Sequence, residues 1–345
     1  MKKSHKLSLA AGISFTLFAA GCGNDNNGEE NAGNVNDNNN VNNVNVGDEN
    51  NDDNMNNDNN MNNDNNDNMD NNNDDNNDGG AAFDADEVDY TITGIDAGAG
   101  VMSAAEDALE TYDLADWDVS ASSDAAMTQA LGDAYENEEP VIVTGWTPHW
   151  KFAEFDLKFL DDPENVFGDA EDIHTFVRDG LSDDMPEAYE VLDNFHWSEE
   201  DMGEVMSAIQ EGEDEEDAAR TWIDENEDTV SEWTDGVDEV DGEEIELVFV
   251  AWDSEIASTN VVSHVLGDLG YEVTMNPLEA NFMFQAVAEG EADAHVAGWL
   301  PLTHDHLVED YGDDMEDLGA NLEGAQTGLV VPEYMDIESI EDLQQ

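Results

Sequence analysis

The sequence predicts an α/β fold of two similar lobes that face each other across a cleft, and three observations point to it. Apolar strand-like runs alternate with helical stretches from about Val88 onward. The same order of elements occurs twice. Each copy closes on one short unit, Val143-Thr144-Gly145-Trp146-Thr147-Pro148 in the first and Val296-Ala297-Gly298-Trp299-Leu300-Pro301 in the second. From Gly100 to Trp146 is 46 positions, and from Trp252 to Trp299 is 47. Alternating strands and helices build mostly parallel sheets, whose functional loops stand at the carboxyl ends of the strands.

Taken in order, residues 1–21 read as an export signal: Lys2, Lys3 and Lys6 precede a mostly apolar run from Leu7 to Ala20 with no acidic residue. That run is short for a bilayer span. Leu17-Phe18-Ala19-Ala20-Gly21-Cys22 resembles a bacterial lipoprotein processing site, with Cys22 as the lipid attachment residue and Ala19 where Leu is usual. Cys22 is the single cysteine, which removes disulfides and thiolate metal clusters from the folded part. Residues 22–87, mostly Asn and Asp at the start, cannot bury apolar surface and read as a disordered tether.

The first copy then expects a strand over Asp89–Ile95, a helix from about Val101 to Tyr112, a short segment Trp117–Ser120, a helix Asp124–Tyr135 and a strand Pro140–Thr144. Residues from roughly Pro186 to Gly236 read as a helical linker region. In the second copy the strand Glu244–Ala251 is followed by a helix near Ile256–Leu269, a strand Tyr271–Met275, a helix near Phe282–Glu289 and a strand through Val296.

Charge narrows the function. Seven Lys and Arg stand against 88 Asp and Glu, a net charge of −81. A chain so poor in cations cannot displace counterions from phosphate backbones, so nucleic acid is excluded as a partner. A surface this acidic repels itself at low ionic strength, and we read it as adaptation to a saline setting.

Trp146, Trp252 and Trp299 each fall at the end of an apolar strand. Converging indole faces suit a cation that has no N–H to donate, quaternary ammonium above all. Trp117, Trp197, Trp222 and Trp233 lack that placement and read as packing, and Trp150 is open. Gly98-Ala99-Gly100-Val101, between a strand and a helix, has the geometry of an anion site or of a simple tight turn, and Ser103 rules out a dinucleotide fingerprint. His304, five residues after Trp299, offers a hydrogen bond to a carboxylate. Asp96 and Asp253 keep a primary amine in play, whereas neither Arg178 nor Arg220 adjoins a strand end to clamp a carboxylate. A hydrolase built on Ser254, His304 and Asp253 lacks the G-x-S-x-G elbow, and adjacent Asp253 and Ser254 would point apart on a strand. A metal site from His304, His306 and His149 is a further alternative.

The runs Gly94-Ile95-Asp96-Ala97-Gly98-Ala99-Gly100-Val101-Met102, Thr144-Gly145-Trp146-Thr147-Pro148-His149-Trp150, Val250-Ala251-Trp252-Asp253-Ser254-Glu255-Ile256-Ala257-Ser258-Thr259-Asn260 and Gly298-Trp299-Leu300-Pro301-Leu302-Thr303-His304 closely resemble the glycine betaine-binding lipoproteins of ABC-type osmoprotectant importers. The resemblance covers essentially all of 88–345. It implies an α/β, two-lobed periplasmic-binding-protein-like fold with a ligand cleft between lobes, the first lobe being 88–182 with 315–345 and the second 183–314. It also implies a non-enzymatic protein without cofactor or metal, held by its lipid at the outer face of the cytoplasmic membrane. There it would capture glycine betaine and deliver it to an ABC importer permease. Trp146, Trp252 and Trp299 would cage the trimethylammonium, while the Gly100 and Val101 amides and His304 would hold the carboxylate. Proline betaine and choline are rivals for the same cage. Ala97 stands where the family usually has Pro, and Gly298 where it often has Ala.

Overall fold

The computed structural model describes residues 83–344, so the export signal, Cys22 and most of the expected tether lie outside the described residues. The folded body begins earlier than expected. Phe83 is buried and its ring stacks on Trp117 at 6.4 Å, and a short 3₁₀ turn spans Ala85–Val88 with Asp84 as its cap. An aromatic and an alanine with core to enter place residues 83–87 in the folded body, where the tether was expected.

The first copy runs β1 (Thr91–Thr93), α1 (Gly100–Thr111), β2 (Asp118–Ser120), α2 (Asp124–Glu136) and β3 (Val143–Thr147). Ser123 starts α2 by accepting from the Ala126 amide, the bond an N-cap serine supplies to a free helix-start donor. After α3 (Lys151–Glu154), β4 (Leu157–Phe159) and β5 (Glu171–Arg178) comes a helical stretch: α4 (Leu181–Asp184), α5 (Pro186–Asn194), α6 (Glu199–Gln210), α7 (Glu215–Glu225) and α8 (Glu227–Trp233). The second copy is β6 (Glu244–Phe249), α9 (Asp253–Asp268), β7 (Glu272–Pro277), α10 (Ala280–Ala288) and β8 (Ala294–Leu300). After it come α11 (Asp305–Tyr311), β9 (Met315–Pro332) and a last 3₁₀ turn, Ile340–Leu343.

The sequence repeat becomes a repeat of topology. β1 pairs in parallel with both β2 and β3, and β6 pairs in parallel with both β7 and β8. Two triplets, β2-β1-β3 and β7-β6-β8, therefore share one strand order. What joins them is antiparallel: β9 pairs with β3 and β4 through its later residues and with β5 through its earlier ones, and β5 also pairs with β8. β9 has 18 residues, long enough to serve both triplets. β5 lies within the range 88–182 yet hydrogen-bonds to β8 of the second copy.

The linker helices α5, α6 and α7 pack on α9, and α8 packs on α5 and α7, around an aromatic knot. Trp222 stacks on Trp233 at 6.0 Å, and Trp197 and Phe195 close on their edges. These three indoles and Trp117 are buried in packing. In the first half of α9 even polar residues are buried, namely Ser254, Glu255, Ser258, Thr259 and Asn260. Among the described residues no helix is long and apolar enough to cross a membrane.

Candidate ligand-binding site

The parallel triplets bring their carboxyl ends toward one another, and the three strand-end indoles meet there. Trp146 on β3 is held in register by pairing with Thr327 of β9, and Trp299 on β8 by pairing with Ile173 of β5. Trp252 follows β6 and is the N-cap residue of α9. The Trp146 and Trp252 ring centroids are 6.2 Å apart at 49°. Together the three indoles line a narrow cavity of about 20 Å³. The strand-to-helix turn after β1 contributes Ile95, Ala99 and Val101, and the far wall is completed by Thr303 and Thr327. No charged side chain lines this cavity. That free space is far below the roughly 300 Å³ at which open ligand sites begin, so the aromatic walls stand nearly closed on one another.

Gly100 and Val101 open α1, so their amides are among the first of the helix and have no preceding turn to accept from them. Gly100 has a steric reason to be glycine: a Cβ there would stand 2.3 Å from the Thr303 carbonyl oxygen. The turn after β1 and the loop after β8 thus meet backbone to backbone. His304 stands directly behind Thr303, fully buried, its ring stacked on Trp252 at 6.0 Å and 15°. Its Nδ1 accepts from the Trp299 amide at 3.0 Å, which leaves the proton on Nε2. That Nε2 is buried and without a partner. Burial and then the neighbouring His306 lower the imidazole to about 3, so it is a neutral donor across the physiological range.

Asp96 and Asp253 are drawn away from the cavity wall. Asp96 Oδ2 accepts from Trp252 Nε1 at 3.3 Å, and Asp253 accepts from Trp150 Nε1. Trp150, undecided from sequence, is thereby a strut of the site. Ser254 is on a helix and not a strand, since α9 begins at Asp253, three residues before the expected start; its hydroxyl bonds Glu255 and does not face His304 as a nucleophile would.

Residues 63–225 and 243–345 match the model of the substrate-binding domain of ABC-type glycine betaine transport systems. This chain belongs to that family. A glycine betaine/carnitine transport binding protein of Listeria monocytogenes is 55% identical over 75% of this chain and 87% of its own length. Among solved structures, lactococcal OpuAC in complex with glycine betaine is 49% identical over 42% of this chain and 57% of that one, with a TM-score of 0.41. A glycine betaine/L-proline-binding protein, ProX, from Borrelia burgdorferi is 36% identical over 43% of this chain and 57% of that one, also at 0.41. The alignment spans little more than half the length of each of these two solved chains.

Around the three indoles the structure adds residues that no local pattern marks. Glu171, buried at the start of β5, accepts from the Leu302 and Thr303 amides at 2.7 and 2.6 Å and from the Thr303 hydroxyl at 2.5 Å, so it shapes the loop that delivers Thr303 and His304. Asp124, the first residue of α2, accepts from the Asp253 amide at 3.0 Å and meets His149 Nε2 at 3.3 Å. Burial pushes the Asp124 carboxyl up, but the His149 hydrogen bond and the nearby His149 and Lys151 charges outweigh it and hold it below the usual range. Lys151 is fully buried with Nζ 4.2 Å over the Trp146 ring, and burial lowers it to about 7. Among the described residues Asp124, His149 and Asp253 form the one group with metal-ligand spacing, and His304 and His306 are not part of it. His149 Nδ1 accepts from the Lys151 amide, so Nε2 carries a proton toward Asp124, and neither nitrogen of that ring has a lone pair free for a metal. The metal reading from His304, His306 and His149 is therefore withdrawn.

Proposed function

We propose that this chain captures glycine betaine outside the cytoplasmic membrane and hands it to the permease of an ABC importer. The observation that carries the reading is the cavity itself: three indoles and no carboxylate on its wall. A primary ammonium confined there would keep its N–H groups unpaired, which costs a buried ion several kcal/mol. A fully alkylated ammonium has none to pair and is attracted by the ring faces. For the other end of the ligand, the Gly100 and Val101 amides and His304 Nε2–H supply donors without a mobile cation. An unpartnered buried donor at His304 favours a zwitterion over choline, which brings no carboxylate.

Several contacts tie the range 88–182 to 183–314: Asp124 to the Asp253 amide, Trp150 to Asp253, and Trp252 to Asp96. We read these as bonds made when the two lobes close on the ligand, with β9 belonging to both. Export through residues 1–21 and anchoring by Cys22 are part of the same proposal, and a Cys22→Ser chain shed into the medium would support them. Retention of that variant on the membrane would not.

Isothermal titration of the chain with glycine betaine in molar salt tests the assignment, with choline, carnitine and proline beside it. Saturable one-to-one binding that falls at least about a hundredfold in Trp252→Ala is expected, the loss of a desolvated cation–π wall and its packing. Absence of heat with folded protein would overturn it.

A further inference from the structure

Each indole of the triad has an ionisable neighbour, a lysine for one and a carboxyl group for the other two. Trp146 Nε1 is buried without a partner, and Lys151 lies over its ring. Trp252 Nε1 donates at 3.3 Å to Asp96, which is only partly buried. Trp299 Nε1 donates at 2.7 Å to Oε1 of Glu255, which is 0% exposed. The rest of the Glu255 surroundings is neutral: Ser254 Oγ approaches Oε1 at 3.4 Å, the Ser258 hydroxyl bonds the Glu255 carbonyl, and Oε2 has no partner. No cation forms an ion pair with it among the described residues. Burying a carboxyl with one oxygen unpaired is expensive, and a structural acceptor for an indole N–H needs no charge at all.

Resting on the betaine reading above, we propose that Glu255 is a positioning residue that acts through Trp299. Its carboxylate makes the cage prefer a fully alkylated ammonium to a neutral group of the same shape. Two effects point the same way. A negative acceptor on the indole N–H raises electron density on the ring face that a cation meets. Beyond that, an uncompensated negative charge in a water-poor interior attracts a cation across the ring with little screening. The first turn of α9 suits such a charge, because the helix start carries partial positive charge.

The test compares glycine betaine with tert-butylacetate, in which a quaternary carbon replaces the nitrogen, on the full chain and on Glu255→Gln. Glutamine keeps an acceptor for Trp299, so a merely structural role predicts equal effects on both ligands. The expected result is a loss of about tenfold or more for betaine, with tert-butylacetate unchanged or tighter and the melting temperature of the free protein not lowered. Should Glu255→Gln fail to fold, the native chain carries the same question in its pH profile. Burial raises Glu255 to about 7, so its preference for betaine over tert-butylacetate should fall as the pH drops through that point. Lys151, the other titrating group at the triad, is removed from that comparison by Lys151→Met. An unaltered preference in Glu255→Gln, or a flat profile in the native or Lys151→Met chain, overturns the inference. A native chain that binds neither ligand sinks the betaine reading first, and the inference with it.

Discussion

A methyl group on Gly100 would stand 2.3 Å from the Thr303 carbonyl oxygen and 2.7 Å from its Cγ2, closer than real Cβ contacts come. The backbone on one side of the cavity meets backbone on the other, so neither can give way by turning a side chain. Gly100→Ala should therefore bind betaine about 10- to 100-fold more weakly, an overpacking cost of roughly 1–3 kcal/mol. The melting temperature of the free protein should hold or rise slightly, because alanine is the better helix former at the start of α1 and the clash is relieved if the cleft stays open. Titration beside a thermal melt checks both parts, and unchanged affinity would show that α1 need not approach Thr303. Gly98-Ala99-Gly100 was legible in advance as a place of close approach. What it approaches was not, because Thr303 lies more than two hundred positions away in sequence.

α9 illustrates the same limit for a helix. Its N-cap residue is Trp252, which offers no side-chain acceptor, and the acceptor comes instead from Asp124 on α2. The residue that caps this helix also meets His149, so one carboxylate fixes where Trp252 stands and ties two parts of the site together. Asp124→Ala should weaken betaine binding about 5- to 30-fold, the worth of a cap of roughly 1–2 kcal/mol, and Asp124→Asn should restore most of it. Equal losses in the two variants would assign the effect to charge and not to capping. Because the carboxyl is held below its usual range in the fold, its contribution to stability is present in full above the ordinary carboxylate range and is lost as the pH falls from there through the lowered folded-state value. The order of strands and helices in both copies was readable from periodicity, and the start of α9 was read three residues late because Asp253 and Ser254 read as a continuation of the strand before them. β5 and β9 were not read at all. Much of β9 is polar and glycine-bearing, and such a strand is specified by its pairing partners and not by its own pattern.

Over the full chain the excess of 88 acidic residues over seven basic ones sets the terms of folding. Among the described residues Lys158, Arg178 and Arg220 make ion pairs with Glu338, Asp293 and Asp268, each at 2.7 Å, while Lys151 is buried. The remaining acidity faces its own kind, and screening is the available remedy. The Debye length falls from ~10 Å at ~0.1 M salt to ~3 Å at ~1 M. The melting temperature should therefore climb steeply over that range, and a melt series in potassium chloride shows it. A flat series would mean that the acidic surface does not limit stability. Betaine is a zwitterion, so its affinity should follow salt only as far as folding does.

The chain order of residues was enough to specify the repeat, the three strand-end indoles and the glycine turn, because each rests on local spacing or on a side chain whose chemistry is rare. Long-range packing supplied the rest: β5 and β9 bridging the two triplets, Glu171 shaping the Thr303 loop, Asp124 capping a helix 129 positions away, and Glu255 standing buried behind Trp299. In a chain with 88 acidic residues a carboxylate carries almost no information where it stands in sequence. It acquires a role only when folding removes water from it and leaves one donor in reach.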